Sequence, residues 1–184
     1  MTQRNDIWIF AYGSLMWNPV FEYERSSKAE LRGLNRALCV TSIHHRGTPQ
    51  KPGLVLGLDT GGKCTGIAYK VRREKADATI KYLRAREQVT RVYREITRPI
   101  TLLDDDRQQV RALIYAIDRN HVQYAGRLPF DTQVNMISEG VGKSGNNIDY
   151  VVSTATHLKE VGITDRNLER ITHRLSRRKC ASKL

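Results

Sequence analysis

Glu87 is the residue whose type and position could best serve proton transfer. Winding the chain from residue 75 as a helix of about 100° per residue places four residues on one stripe: Ala76, Ile80, Leu83 and Glu87. The acid therefore stands where the next core residue belongs. A carboxylate on an inward-facing stripe is costly unless it is paired or used. Two interpretations stay open, a general acid/base and a structural ion pair with one of the many arginines.

The turn at Gly13-Ser14 is the second candidate for chemistry. It follows an apolar run, Ile7 to Ala11, whose β-branched and aromatic residues predict a buried strand. A glycine directly after a core strand lets the backbone bend sharply and approach another molecule closely. Successive amides in such a turn can form a nest that binds a carboxylate or a phosphate. An ordinary strand-to-loop turn would explain the same residues.

These stretches resemble the motifs of one enzyme family. The signature of the ChaC-like gamma-glutamylcyclotransferases, which act on glutathione, is similar to residues 10–19, FAYGSLMWNP. The family's second motif, which ends in a catalytic glutamate, resembles residues 82–87, YLRARE. Three further matches follow in the family's order and extend the resemblance over about residues 7 to 170: HHRGTP at 44–49 with PG at 52–53, YAGRLP at 124–129, and GNNIDY at 145–150 leading to GITD at 162–165.

The resemblance implies a fold, a reaction and a set of site residues. The fold would be α+β, a small mixed β-barrel with flanking helices and a helical C-terminal third. The reaction would cyclise the γ-glutamyl group of glutathione to 5-oxoproline and release Cys-Gly, with Glu87 as acid/base and no cofactor. The residues that would hold the γ-glutamyl end are Tyr12, Gly13, Ser14, Leu15 and Met16. Arg46 and Tyr124 are candidates for the cysteinylglycine end.

Two departures from the family pattern bear on substrate choice. Family members often carry glycines shortly after the catalytic glutamate, whereas Gln88-Val89-Thr90-Arg91 stands there in this chain. Ala11 occupies a position where glycine is common. A cyclotransferase acting on another γ-glutamyl amine or peptide is therefore an alternative.

Length and composition predict one domain over residues 1–184. The hydrophobic content of 40% and charged content of 27% are ordinary for a soluble globular chain. No apolar run approaches the ~20 residues that cross a bilayer, and the N-terminus carries no secretory signal. The three cysteines lack CxxC spacing, which indicates a reducing, cytoplasmic location and argues against a disulfide framework or zinc site.

The net charge of +12 raises a different function class, a nucleic-acid-binding module without catalysis. About half of this excess lies in residues 166–184, which hold seven Lys/Arg and one acid, Glu169. We favour a solvated basic tail over about residues 177–184, because aromatic stacking motifs for RNA are not evident. The last three residues, Ser182-Lys183-Leu184, would be a peroxisomal address in a eukaryote. The sequence sets no oligomeric state.

Strands come first and helices later, with one helix inserted. We predict a long strand over 29–43 broken at Gly33, short strands over 54–58 and 65–71 joined by a hairpin turn at 59–62, and a second hairpin of 92–103 with 109–117. The inserted helix ends near Glu87, where the apolar stripe loses its phase. The C-terminal helices begin at caps Asp131 and Asp165, and Gly162 ends the helix between them.

Overall fold

The structure is a computed structural model that describes residues 6–104 and 106–181, the last four by their backbone alone. Its strands are β1 (Ile7–Ala11), β2 (Arg25–Ser42), β3 (Gly53–Val71), β4 (Tyr93–Leu102), β5 (Gln109–Ile117), β6 (Val141–Gly142) and β7 (Gly145–Asn146). Its helices are α1 (Arg73–Glu87), α2 (Phe130–Glu139), α3 (Asn147–Glu160) and α4 (Arg166–Ala181), with a 3₁₀ turn at Ser14–Met16. The α+β class and the helical C-terminal third are confirmed.

The chain divides into two compact units. The first contains the described parts of Met1–Ala37 and Gly57–His121, and the second contains those of Leu38–Leu56 and Val122–Leu184. The single domain expected from the length of the chain stays a prediction. Among the described residues, no helix combines the length and the apolar character needed to cross a membrane.

The first unit is built around a closed barrel with the strand order β1-β3-β2-β4-β5. β1 is antiparallel to β3 and parallel to β5, with Trp8 opposite Lys70 on one side and Ala112 on the other. Alternate residues of the strands point inward and leave water together, which is the main stabilising term. The buried side chains of this core are Phe10, Ala29, Leu31, Leu58, Cys64, Ala68, Ile100, Leu102, Ala112, Ile114 and Ala116.

The predicted hairpin turn at residues 59–62 is wrong. β3 runs without interruption from Gly53 to Val71. Gly61 and Gly62 do have positive φ angles, of 95° and 65°. Positive φ serves a bulge inside a strand as well as a hairpin turn, so a glycine pair alone does not distinguish the two. Likewise, Gly33 has a φ of 83°, but β2 continues through it and begins earlier than predicted, at Arg25.

The inserted helix and the second hairpin are confirmed. α1 ends at Glu87, where its apolar stripe was predicted to fail. Ala76 and Leu83 of that stripe are 2% and 0% exposed, and Thr79 is buried beside them. β4 and β5 pair in antiparallel register from Tyr93–Ile117 to Thr101–Gln109. The helix therefore delivers Glu87 to the point where the chain returns to the barrel.

The second unit contains α2, α3 and α4, which pack on one another. Two of its helix ends form as predicted. Asp165 Oδ1 accepts from the amide of Leu168 at the start of α4, and Gly162, with φ of 66°, ends α3 while Ile163 N donates to Leu158 O. The predicted Asp131 cap is wrong, because α2 begins after Pro129 and Asp131 lies in its first turn. The helices share an apolar core: Val134, Ile137, Val151, Leu158, Ile163, Leu168, Ile171 and Leu175.

Candidate active site

The turn over residues 12–16, here called the 12–16 turn, follows the last residue of β1. Its backbone forms a 3₁₀ turn in which the amide of Met16 donates to Gly13 O at 2.9 Å. The side chains of Leu15 and Met16 are buried, which anchors the turn in the first unit. The first amides of a helical turn have no acceptor within it. The N–H groups of Ser14 and Leu15 are therefore those available to a ligand.

Two side chains from neighbouring strands fix the carbonyl groups of this turn. Arg36 of β2 donates from Nε to Tyr12 O at 2.6 Å and from Nη2 to Thr65 O at 2.7 Å. Tyr69 of β3 donates from its hydroxyl to Met16 O at 2.6 Å. Burial raises the pKa of Tyr69 to about 12, so its hydroxyl stays protonated and can donate this hydrogen bond. Both ends of the 12–16 turn are thus tied to the barrel.

Gly66 lets the end of β1 lie close against β3. A Cβ atom placed on Gly66 would collide with the carbonyl oxygen of Ala11 and would come within 2.8 Å of Phe10 Cζ. The carbonyl belongs to the backbone and has little room to move away. The position therefore requires glycine because of close approach, since its φ is not in the left-handed region.

Glu87 is the last residue of α1, and its side chain is 18% exposed. Burial raises the pKa of this carboxyl, and the charge of Arg86 opposes that effect. Arg86 Nε lies 3.3 Å from Glu87 Oε1, so the ion pair expected under the structural interpretation is present. Within the residues that the structure describes, no hydrogen-bond donor other than Arg86 contacts the carboxylate, although Tyr115 interacts with it electrostatically. It is thus desolvated and free to accept a proton at its second oxygen.

Arg86 joins the two stretches that the sequence singled out. Its Nη2 donates to Ser14 Oγ at 2.9 Å, and its Nη1 donates to Asn18 O and Tyr82 Oη, both at 3.0 Å. Its Nε faces Glu87 at 3.3 Å. The structure therefore brings the 12–16 turn and Glu87 together through one guanidinium group.

The segment after Glu87, where the sequence departs from the family pattern, is a short turn. Gln88 N donates to Arg84 O at 3.0 Å, and Arg91 N donates to Gln88 O at 3.2 Å. Arg91 has a φ of 57°, and the Val89 side chain is 64% exposed. Positive φ is uncommon outside glycine. An arginine thus adopts a backbone conformation that the glycines usual in the family would adopt at lower cost.

Arg46 and Tyr124 belong to the second unit. Arg46 Nη1 donates to Asn146 O at 3.2 Å, and the guanidinium lies 5.5 Å from the ring centroid of Tyr150. Tyr124 forms an isolated antiparallel bridge with Val40. Their predicted roles at the cysteinylglycine end stay predictions.

Three residues at this site were not predicted from the sequence: Arg36, Tyr69 and Arg86. Arg86 had a usable signal, since it lies four residues after Tyr82 and directly before Glu87, a spacing that puts Tyr82 and Arg86 on one helix face. Arg36 and Tyr69 lie on strands without a comparable pattern, and their bonds are made by tertiary packing.

Metal ligands were not expected at the site. Across residues 6–104 and 106–181 the structure holds no group of three or more His, Cys, Asp or Glu side chains able to bind a metal ion. The rings of His44 and His45 pack edge to face at 5.2 Å, and His45 Nδ1 lies 3.0 Å from Ser144 Oγ. Cys39 and Cys64 are buried, and neither forms a disulfide bond among the described residues.

Comparison with known proteins gives consistent matches. A family model of ChaC-like proteins matches residues 7–178. The chain is 34% identical over 162 residues to a glutathione-specific gamma-glutamylcyclotransferase of Escherichia coli (strain K12), covering 88% of this chain and 69% of that protein. It is also 34% identical over 168 residues to glutathione-specific gamma-glutamylcyclotransferase 1 of Homo sapiens, covering 86% and 75%.

The fold is similar to that of a solved structure. A crystal structure of a gamma-glutamyl cyclotransferase specific to glutathione from yeast superposes with a TM-score of 0.84, covering 95% of this chain and 97% of that one. Its sequence identity is 20%, so the similarity supports the fold alone.

Proposed function

The chain belongs to the ChaC-like protein family, and from that membership we infer that it is a glutathione-specific gamma-glutamylcyclotransferase. The enzyme cyclises the γ-glutamyl group of glutathione to 5-oxoproline and releases Cys-Gly. One observation carries the assignment of its active site: a partly buried glutamate at the end of α1, joined through Arg86 to the turn that resembles the family signature.

The reaction is intramolecular, so its nucleophile is part of the substrate. The α-amino nitrogen attacks the γ-carbonyl carbon, the new C–N bond closes a five-membered lactam, and the amide bond to cysteine breaks. The protein must hold the γ-glutamyl chain in a folded conformation and move a proton. Glu87 takes that proton from the ammonium group and returns it to the departing amine. The attacking nitrogen loses a second proton as the lactam forms, and the amine gains a second one as it leaves as an ammonium, so protons balance over the cycle.

The environment of Glu87 suits this exchange. Burial raises the pKa of its carboxyl towards the working pH, where a general base is most effective. The charge of Arg86 opposes this rise in pKa and favours the ionised form, which accepts the proton. A carboxylate with several hydrogen-bond donors would be a weaker base, and the second oxygen of Glu87 has none among the described residues.

The 12–16 turn binds the γ-glutamyl end. The N–H groups of Ser14 and Leu15, which have no acceptor within the 3₁₀ turn, supply donors for the α-carboxylate or for the oxyanion of the tetrahedral intermediate. Tyr12, Gly13 and Met16 shape the same turn, and the bonds from Arg36 and Tyr69 keep its amides in place. Preorganised donors of this kind stabilise developing charge without reorganisation.

Arg46 and Tyr124 bind the cysteinylglycine end in this proposal. A guanidinium group suits the terminal carboxylate of glycine, because it is planar and offers paired donors. The basic surface of the protein, with a net charge of +12, also favours capture of an anionic tripeptide. We infer a cytoplasmic location from the three sparse cysteines, which lack CxxC spacing.

The test is a direct assay of product. The purified protein is incubated with glutathione, and 5-oxoproline and Cys-Gly are quantified against a panel of other γ-glutamyl amines and peptides. We expect equimolar formation of both products and a clear preference for glutathione. A higher kcat/KM with another γ-glutamyl compound would show that glutathione is not the preferred substrate, while the type of reaction would stand. Inertness towards the whole panel would show that the protein is not a cyclotransferase.

A further inference from the structure

We propose that Arg86 is a positioning residue with two tasks: its guanidinium fixes the 12–16 turn for substrate binding and sets the protonation of Glu87. The inference rests on the proposed function, because it assigns to one side chain the coupling between the two halves of that active site. Both halves belong to the first unit, as does Arg86.

All three nitrogens of the Arg86 guanidinium are engaged. Nη1 donates to the Asn18 carbonyl and the Tyr82 hydroxyl, and Nη2 donates to the Ser14 hydroxyl, at 2.9–3.0 Å. Nε is left for Glu87 at 3.3 Å. The side chain is 24% exposed, so these contacts are partly shielded from water. Only a planar group with several fixed donors reaches so many acceptors, and a lysine ammonium would reach fewer of them.

The contacts of Arg86 differ in kind from those of the nearby arginine Arg84. Arg84 forms a bidentate pair with Glu95 through Nε and Nη2, both at 2.7 Å, and it is exposed. That geometry is an ordinary ion pair at the surface. Arg86 forms no bidentate pair with Glu87 and divides its donors between the two parts of the site instead. Arg86 therefore pairs with Glu87 less strongly than a bidentate arginine would, but it contacts both Glu87 and the 12–16 turn.

Among the residues that the structure describes, Arg86 is the cationic group that contacts Glu87. On α1 the group is Arg86 itself. From β5, Tyr115 interacts with Glu87, but burial and Glu95 raise the pKa of Tyr115, so it stays neutral. The C-terminal end of a helix carries partial negative charge, which also disfavours a carboxylate there. Loss of the Arg86 charge therefore raises the pKa of Glu87 and protonates the base at higher pH.

Four variants separate the two tasks. Arg86→Gln removes the charge and most of the donors. Arg86→Lys keeps the charge and loses the planar fork. Ser14→Ala removes one contact to the turn and leaves the pair with Glu87. Lys81→Gln is the matched control, since it removes one positive charge from an exposed position of the same helix. Each is assayed for kcat, KM and the pH profile of kcat/KM with glutathione.

The proposal predicts a specific pattern. Arg86→Gln raises KM by about fivefold or more, as expected for the loss of hydrogen bonds worth about 1 kcal/mol each, and shifts the acidic limb of the profile to higher pH. Arg86→Lys raises KM and keeps the limb near its wild-type position. Ser14→Ala raises KM without moving the limb, and Lys81→Gln changes neither.

Failure of this inference is distinguishable from failure of the proposed function. A wild-type protein that forms no 5-oxoproline rejects the function itself. An active wild type whose acidic limb is unmoved in folded Arg86→Gln overturns the control of Glu87. If Arg86→Gln does not fold, Arg86→Lys decides: wild-type KM in that variant overturns the control of the turn, and raised KM with an unmoved limb supports it.

Discussion

Arg86 Nη2 donates a 2.9 Å hydrogen bond to Oγ of Ser14, a residue 72 positions earlier in the chain. The bond connects the last turn of α1 to the turn that leaves β1. Glu87 is covalently next to Arg86, so the position of its carboxylate depends on a contact with the proposed substrate-binding turn. A change at Ser14 should therefore alter the position of the Glu87 carboxylate, and a change at Arg86 should alter the 12–16 turn.

Replacing Glu87 by Gln should abolish most of the activity. The amide keeps the shape of the side chain but cannot accept a proton from the substrate ammonium. We expect folded Glu87→Gln to lose about 10² or more in kcat, measured as 5-oxoproline released from glutathione. Glu95→Gln, which alters an acid bound to Arg84 and Tyr115, is a comparison for general charge effects. Near wild-type turnover in folded Glu87→Gln would reject the assignment.

The same substitution should not destabilise the protein at neutral pH. The pKa of Glu87 is raised in the folded state, so the folded state binds more protons than the unfolded state above the ordinary value of 4.5. The stability of the wild type therefore falls as pH rises from that value through the raised pKa. Glu87→Gln has no carboxyl at this position, so its stability does not fall with pH for this reason. Chemical denaturation should show the variant to be at least as stable at neutral pH, with its advantage vanishing towards pH 4.5 and below.

The position of Glu87 at the end of a helix could be predicted from the sequence, because a local pattern determines it. The apolar stripe of α1 loses its phase after Glu87, and the helix ends there. The strand pair after it was predictable from two apolar runs and an acidic turn. The glycine pair Gly61-Gly62 inside β3 could not be distinguished from a hairpin turn, because positive φ occurs within strands as well as in hairpin turns. Which arginines would serve the site depends on long side chains reaching across the fold, and sequence spacing carries little of that information.

Gly66→Ala should test how closely β1 must approach β3. The added Cβ meets the Ala11 carbonyl, which cannot move without displacing the strand that leads into the 12–16 turn. Overpacking of this kind costs about 1–3 kcal/mol, so both the free energy of unfolding and kcat/KM should fall. The neighbouring Thr65→Ala should change the free energy of unfolding by less than about 0.5 kcal/mol. Equal stability of the two variants would contradict the close approach.

Catalysis should be independent of divalent metal ions. The proposed reaction needs one proton relay and a set of backbone donors. Treatment with a chelator, followed by removal of the chelator–metal complex, should leave 5-oxoproline formation unchanged. Loss of activity that only a particular divalent ion restores would show that catalysis uses a metal site.

Deletion of residues 177–184 should leave folding and kcat unchanged. Leu175 is the last buried residue of α4 in the described part of the chain, and Ser182-Lys183-Leu184 lies outside the described residues. If the basic tail steers glutathione, the truncated protein should have a lower kcat/KM than the full chain at low salt. The difference should shrink as added salt screens the field of the tail. Tail-dependent retention of DNA or RNA at physiological salt, in a protein inert towards γ-glutamyl compounds, would favour the nucleic-acid-binding alternative instead.

The parallel pairing of β1 with β5 has a consequence for biosynthesis. Trp8 lies opposite Ala112, so the strand that leads into the 12–16 turn obtains its second neighbour only after more than half of the chain has left the ribosome. Pairings between such distant segments form late in folding, because loop closure precedes any gain from contact. A nascent chain that ends before Gln109 already contains Ser14, Arg86 and Glu87 but lacks β5. The enzyme should therefore remain unable to consume glutathione during most of its own synthesis.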